Sequence, residues 1–215
     1  MKIEVDLMMF DFDGTIVDSK DDIAASANHV LAARGLPAKD PELIASYIGS
    51  GIHVLLGKTL STADEADVKD AVETFREHYW DHCMDRTVSY EGVEETLEYF
   101  GGKTKTIVTN KPKRFTDRIL EGLGLAGHFV SVVGGDGPYA KKPSPEGFMA
   151  VLSSLEIPAE RALVVGDSHN DVIGGRAAGC LTCAVTYGLG KRIVLEATHP
   201  YMIIDRLADL QLLVE

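Results

Sequence analysis

The chain has 215 residues, 45% of them hydrophobic, enough for one large domain or a core carrying a smaller insertion. A formal net charge of −12, from 33 acidic and 21 basic side chains, supplies no basic face for a polyphosphate backbone, so no nucleic-acid partner is expected. No apolar run approaches the roughly 20 residues of a membrane span, and the N-terminus enters a strand-like run without an apolar leader, so no membrane contact and a cytoplasmic location are expected.

Leu7–Phe10 is a continuously apolar run of strand length that ends in Asp11-Phe12-Asp13-Gly14-Thr15. From about Thr15 to Ser89 no strand pattern stands out, and helical stripes take over. Ile23, Ala27, Val30 and Leu31 mark one helix closed by Gly35. Residues 53–60 suggest a second behind a glycine-rich loop, and Val68, Val72, Phe75 and Tyr79 mark a longer one starting near Asp64. The expected organisation is a helical cap of residues 16–88 inserted in a core made of residues 1–15 and 89–215. Within that core, strand-length runs recur at Thr106–Val108, Phe129–Val133, Ala162–Val165, Thr182–Val185 and Met202–Ile204. Helical stripes alternate with them: Phe115, Ile119 and Leu120, then Phe148, Val151, Leu152 and Leu155, entered through Pro145. Runs that are apolar throughout suit strands covered on both faces, which makes a doubly wound parallel α/β sheet the expected architecture.

In such sheets ligands bind beyond the carboxyl ends of the strands. The polar residues placed there by the pattern are Asp11 and Asp13, Thr109-Asn110-Lys111, Lys141-Lys142, and Gly166-Asp167-Ser168-His169-Asn170-Asp171. Phosphoryl transfer needs a nucleophile, a proton donor for the leaving oxygen, and positive charge or donors around the transferring oxygens. Asp11 suits the nucleophile and Asp13 the general acid and base. Thr109 and Asn110 suit donors to phosphate, and Lys142 places a compact charge against phosphate and nucleophile. Asp11, Asp13 and Asp167 crowded together call for a cation, for which magnesium is the natural choice. Each motif alone has an ordinary explanation as a turn, a helix cap or a surface lysine. Their ordered appearance at the ends of separate strands favours chemistry.

That ordered set resembles the haloacid dehalogenase-like hydrolase superfamily. Asp11 to Thr15 match its first motif, Thr109 its second, Lys142 its third, and Asp167 with Asp171 its fourth. The resemblance implies a Rossmann-like core, an α-helical cap and an aspartyl-phosphate on Asp11. It also implies magnesium held by Asp11, the carbonyl of Asp13 and Asp167, with Asp171 as a ligand or a support. Within the superfamily the phosphoglycolate phosphatase branch is most similar, through Val17-Asp18-Ser19, Tyr47 to Gly51, Val108 to Pro112, and Val165 to Asp171 continuing to Cys180. The implied activity is hydrolysis of a small phosphorylated metabolite, with 2-phosphoglycolate as the foremost substrate. Pyrophosphate hydrolysis, a sugar-phosphate mutase or phosphatase, and a ligand-binding regulatory module are the alternatives. Nothing in the sequence sets the oligomeric state.

Gly51 to Thr59 imitates a phosphate-binding G-x-x-x-x-G-K-[ST] loop, but Ile52 stands where the motif needs glycine. Gly51 and His53 are instead candidates for facing substrate. Cys180 and Cys183 form a C-x-x-C running into a strand, where residues three apart point to opposite faces, so a structural role is expected. His78, His82 and Cys83 share helical spacing but lack the further ligand that zinc requires.

Overall fold

The computed structural model describes residues 2–215; Met1, the first residue of the expected core segment, lies outside the described residues. In chain order the elements begin with β1 (Leu7–Phe10), β2 (Val17–Asp18), α1 (Lys20–Ala33), α2 (Pro41–Ala45), α3 (Ile52–Leu60), α4 (Glu65–His82), β3 (Val88–Ser89) and α5 (Val93–Tyr99). There follow β4 (Thr104–Val108), α6 (Lys113–Gly122), β5 (Ser131–Val133), α7 (Glu146–Leu155), β6 (Ala162–Gly166) and α8 (His169–Ala177). The chain finishes with β7 (Leu181–Val185), α9 (Arg192–Ala197), β8 (Met202–Ile204) and α10 (Leu210–Leu213).

Six strands form one parallel sheet in the order β5-β4-β1-β6-β7-β8. This is the doubly wound α/β architecture expected. β1 lies at the centre, with Leu7 opposite Thr104 on one side and Ala162 on the other. All four of its residues are buried because both faces of the sheet are covered. Met8 and Phe10 join a core with α5, α6 and α10, whereas Leu7 and Met9 join Phe148, Val151 and Leu152 of α7 on the opposite face. The strand order reverses beside β1, which places a crevice at the carboxyl ends of β1, β4 and β6.

Two strands depart from the hydrophobic pattern. β4 starts at Thr104, two residues early, and takes in the buried Lys105, whose ammonium donates to the carbonyls of Phe100 and Lys103 at 2.5 and 3.1 Å. β5 starts only at Ser131; Phe129 leaves the ladder and packs edge-on against Phe10.

Between β2 and β3 the described regular structure is entirely helical. Asp64 caps α4 by accepting from the N–H groups of Ala66 and Asp67. Ile23, Ala27 and Val30 of α1 share a core with Val68, Val72 and Phe75 of α4. The expectation of no strand from Thr15 to Ser89 is corrected at its two ends: Val17 pairs with Ser89 and Asp18 with Val88 in an antiparallel ribbon. Two-residue strands carry too little pattern to be read from sequence. The buried Asp22 of α1 reinforces the ribbon, accepting from the N–H groups of Arg86 and Thr87 and from the Thr87 hydroxyl at 2.7 to 3.1 Å.

Candidate active site

Asp11 leaves the central strand β1 and is 9% exposed. Lys142 reaches it from the loop before α7: its ammonium lies 2.7 Å from the Asp11 carboxylate, 2.6 Å from Asp171, and 2.7 Å from the Val108 carbonyl that accepts from it. Burial alone would disfavour the charge on Lys142, but Asp11 and Asp171 outweigh it and raise its pKa. Burial, then the negative charge of Asp171, push the Asp11 carboxyl up to about 6 against the pull of Lys142.

Asp167 follows β6, 3% exposed, and its Oδ2 accepts from the N–H groups of Leu189 and Gly190 at 2.7 and 3.2 Å. Burial, then Asp11 and Asp171, hold its pKa well above the usual carboxylate range. Asp171, in the first turn of α8, is engaged on both oxygens: Oδ1 by Lys142, Oδ2 by the N–H and hydroxyl of Ser168. Oxygen atoms from Asp11, Asp167 and Asp171 lie within 4.8 Å of one another. Three buried carboxylates so close repel each other. An all-oxygen donor set of this kind suits a hard divalent cation such as magnesium. The carbonyl of Asp13 beside them accepts no backbone hydrogen bond among the described residues. The site therefore fits the metal expected.

Asp13 has its own set of partners. Its Oδ1 accepts from Ser19 at 2.5 Å and from the Lys111 ammonium at 2.9 Å, while Oδ2 receives only a 3.3 Å contact from Lys111. The same ammonium donates to the hydroxyl of Tyr79, on α4, at 2.8 Å. Burial opposes the charge on Lys111, but Asp13 and Tyr79 prevail and raise its pKa. Thr109, at the end of β4, accepts from the N–H of Lys111 through its hydroxyl oxygen and keeps its own proton to donate.

Asn110, His53 and Gly51 differ in how they stand toward the cavity. The Asn110 side chain gives its two amide protons to the carbonyls of Gly49 and Lys142 and accepts from the Lys142 N–H, while its backbone N–H has no acceptor among the described residues and remains free to donate at the cavity. It clamps the Lys142 loop to the helical insertion. His53 is not brought to the cavity; its Nε2 pairs with Glu65 at the start of α4, 3.1 Å away. Gly51 does line the cavity with Asp11, Asp13 and Thr109, at a φ of 89°. At that φ a side chain would be strained, so glycine suits the backbone there.

Sequence reasoning missed four contributors. Lys111, given no role by the sequence pattern, is buried and donates to Asp13. Ser19 and Tyr79 were not singled out as its companions. Gly188 packs so tightly that a Cβ would stand 2.1 Å from the carbonyl of Gly14 and 2.5 Å from Asp167. A lysine run and a Gly-x-Gly loop after a strand carry no distinguishing pattern, and only the fold makes them neighbours. Cys180 and Cys183 are buried free thiols, and His78 and His82 stack on each other at 4.2 Å. Among the described residues no helix is long and apolar enough to cross a membrane.

Residues 8–185 match the family model described as haloacid dehalogenase-like hydrolase. The chain belongs to the haloacid dehalogenase-like hydrolase family. It is 35% identical to a phosphoglycolate phosphatase of Vibrio parahaemolyticus, covering 96% of this chain and 95% of that one. It is 38% identical to phosphoglycolate phosphatase 1 of Pseudomonas aeruginosa, covering 95% of this chain and 78% of the relative. A crystal structure from Haemophilus somnus, described as a predicted phosphoglycolate phosphatase, superposes with a TM-score of 0.90 at 30% identity over 97% of both chains. As a hydrolase of this family the chain is an enzyme, and its Rossmann-like sheet is the one that its relatives share.

Proposed function

We propose that this hydrolase is a magnesium-dependent phosphatase of 2-phosphoglycolate that works through an aspartyl-phosphate on Asp11. The observation that carries the reading is the pairing of Asp11, held by Lys142, with Asp13, held by Ser19 and Lys111, at one small cavity. The substrate assignment draws its support from the relatives named above. In the first step an Asp11 oxygen attacks phosphorus, the ester P–O bond breaks, and the leaving oxygen takes the proton of Asp13. In the second, water attacks the same phosphorus, the Asp11–phosphorus link breaks, and Asp13 takes the water's proton.

Lys142 holds Asp11 in place and offsets charge on the transferring group. The Thr109 hydroxyl supplies a hydrogen bond to a phosphate oxygen. Asp11, the Asp13 carbonyl and Asp167 would hold magnesium, which when bound offsets the carboxylate and phosphate charges as a Lewis acid. Asp171, occupied by Lys142 and Ser168, supports the site from behind. Residues 16–88 act as a cap, its helices α1, α3 and α4 closing the cavity with Ile23, Leu55 and Phe75 and keeping bulk water from the acyl phosphate.

The test is phosphate release from 2-phosphoglycolate, pyrophosphate and hexose phosphates, with and without magnesium. Metal-dependent preference for 2-phosphoglycolate is expected, and Asp11→Asn should lower kcat by at least about 10⁴-fold. Turnover of another substrate alone would replace the substrate assignment, and the absence of turnover on all of them would overturn the phosphatase reading.

A further inference from the structure

The cavity beside Asp11 and Asp13 is walled on its far side by Ile23, Ile48, Ile52, Leu55, Phe75 and Phe115. An anion entering such a space loses its water and needs a charged partner. Among the described residues lining it, one basic side chain is present, Lys111. Its ammonium is held between Asp13 and the Tyr79 hydroxyl. Three N–H groups are available to it. Two have good acceptors in Asp13 Oδ1 and the Tyr79 hydroxyl, and the third has only the 3.3 Å contact with Asp13 Oδ2.

We propose that Lys111 is the specificity residue of the site, binding a carboxylate that stands one carbon beyond the ester oxygen of the phosphorylated substrate. The inference rests on the phosphatase reading above and assigns a residue to the second anion of that substrate. A leaving oxygen bonded to Asp13 Oδ2 at about 2.8 Å stands within about 6 Å of the Lys111 ammonium. One carbon and a carboxylate, joined by bonds of roughly 1.5 Å, followed by a charged hydrogen bond of about 2.8 Å, cover that gap. The third N–H then exchanges its long contact with Oδ2 for a short one to substrate. Asp13 stays oriented by Ser19, and its Oδ2 is left to the leaving oxygen. Phosphomonoesters whose second carbon bears no charge gain nothing from Lys111, and bulkier ones press against the isoleucines and Phe75.

The experiment compares 2-phosphoglycolate with ethyl phosphate, which has the same chain without the carboxylate. Binding is measured by calorimetry in magnesium buffer on the full-length Asp11→Asn protein, with and without Lys111→Met, and kcat/KM for both esters is measured in the wild-type background. In the Asp11→Asn protein 2-phosphoglycolate should bind at least tenfold tighter than ethyl phosphate, and Lys111→Met should remove most of that advantage. Any effect of the lysine on Asp13 weakens both esters alike and cancels in the ratio. Lys111→Gln, which keeps a polar amide donor without the charge, serves where the methionine variant does not fold and should lose the same advantage. An unchanged ratio in either variant, or no initial preference for the carboxylate ester, overturns the assignment. Retained, lysine-dependent binding without hydrolysis supports Lys111 while overturning the phosphatase reading.

Discussion

Gly14 follows Asp13 at a φ of 89°, and a Cβ added to it would stand 2.2 Å from Oδ2 of Asp167. Two independent constraints therefore meet at one residue. The left-handed backbone costs an L-residue about 1–2 kcal/mol, and the side chain would push Asp167 off the N–H groups of Leu189 and Gly190. Gly14→Ala is expected to destabilise the fold by at least about 1 kcal/mol and to lower kcat by tenfold or more. Magnesium should raise the Tm of the wild-type protein, as any ligand confined to the native state does, and raise that of Gly14→Ala much less. Thermal unfolding with and without the metal checks this, and an equal metal-induced rise in both proteins would contradict the role given to Asp167. At this scale the sequence discloses Asp11, Asp13 and Asp167 because they directly follow or lie just beyond the ends of strands. It is silent on how their oxygens are allotted. Gly166 to Asp171 read equally as a helix cap and as chemistry, and Asp171 does serve both, since Ser168 and Asp171 form a capping box while Asp171 also holds Lys142.

Helices α1 and α4 pack through a histidine stack as well as through aliphatic side chains. His78 lies 4.0 Å from His29 and 4.2 Å from His82 between ring centroids, and its Nδ1 is 3.0 Å from the Ser26 hydroxyl. Burial, then His29 and His82, lower the His78 pKa, with Asp85 and Asp81 opposing. A histidine with a depressed folded pKa binds fewer protons when folded. The stability it contributes is fully present above the unfolded pKa of about 6.5 and is lost as pH falls below it. His78→Phe, which keeps the stack and removes the titration, should flatten the fall in Tm between about pH 7 and pH 5. Parallel wild-type and variant curves would place the pH dependence elsewhere. The hydrophobic stripes that mark α1 and α4 say nothing of this stack, because histidine spacing acquires meaning only once the two helices are antiparallel neighbours. The same limit hides the β2–β3 ribbon and the early start of β4, where Lys105 interrupts an apolar run that the carbonyls of Phe100 and Lys103 make tolerable.

The alternation of apolar runs and helical stripes is enough to specify the sheet, but how the helical insertion meets that sheet depends on backbone atoms that no side-chain pattern reports. The carbonyl of Gly49, in a glycine at a φ of 109°, accepts from Asn110 at 2.8 Å and from Asn170 at 3.3 Å. Asn110 follows β4 and Asn170 lies on α8, so a single insertion carbonyl is gripped from two separate segments of the core. The β2–β3 ribbon anchors the insertion at its other end. Gly49 also lines the cavity, so this grip fixes the backbone of the cavity wall on the insertion side. Asn170 offers the cleaner perturbation, since Asn110 also fixes the Lys142 loop. Losing one neutral hydrogen bond is worth about 0.5–1.5 kcal/mol, so Asn170→Ala should speed amide exchange around residues 49–52 by roughly two- to tenfold while β1 and β6 stay protected. Unchanged exchange in that loop would mean that Asn110 alone holds it. Faster exchange throughout the sheet would mean that Asn170 stabilises the whole fold, with no particular hold on the mouth of the cavity.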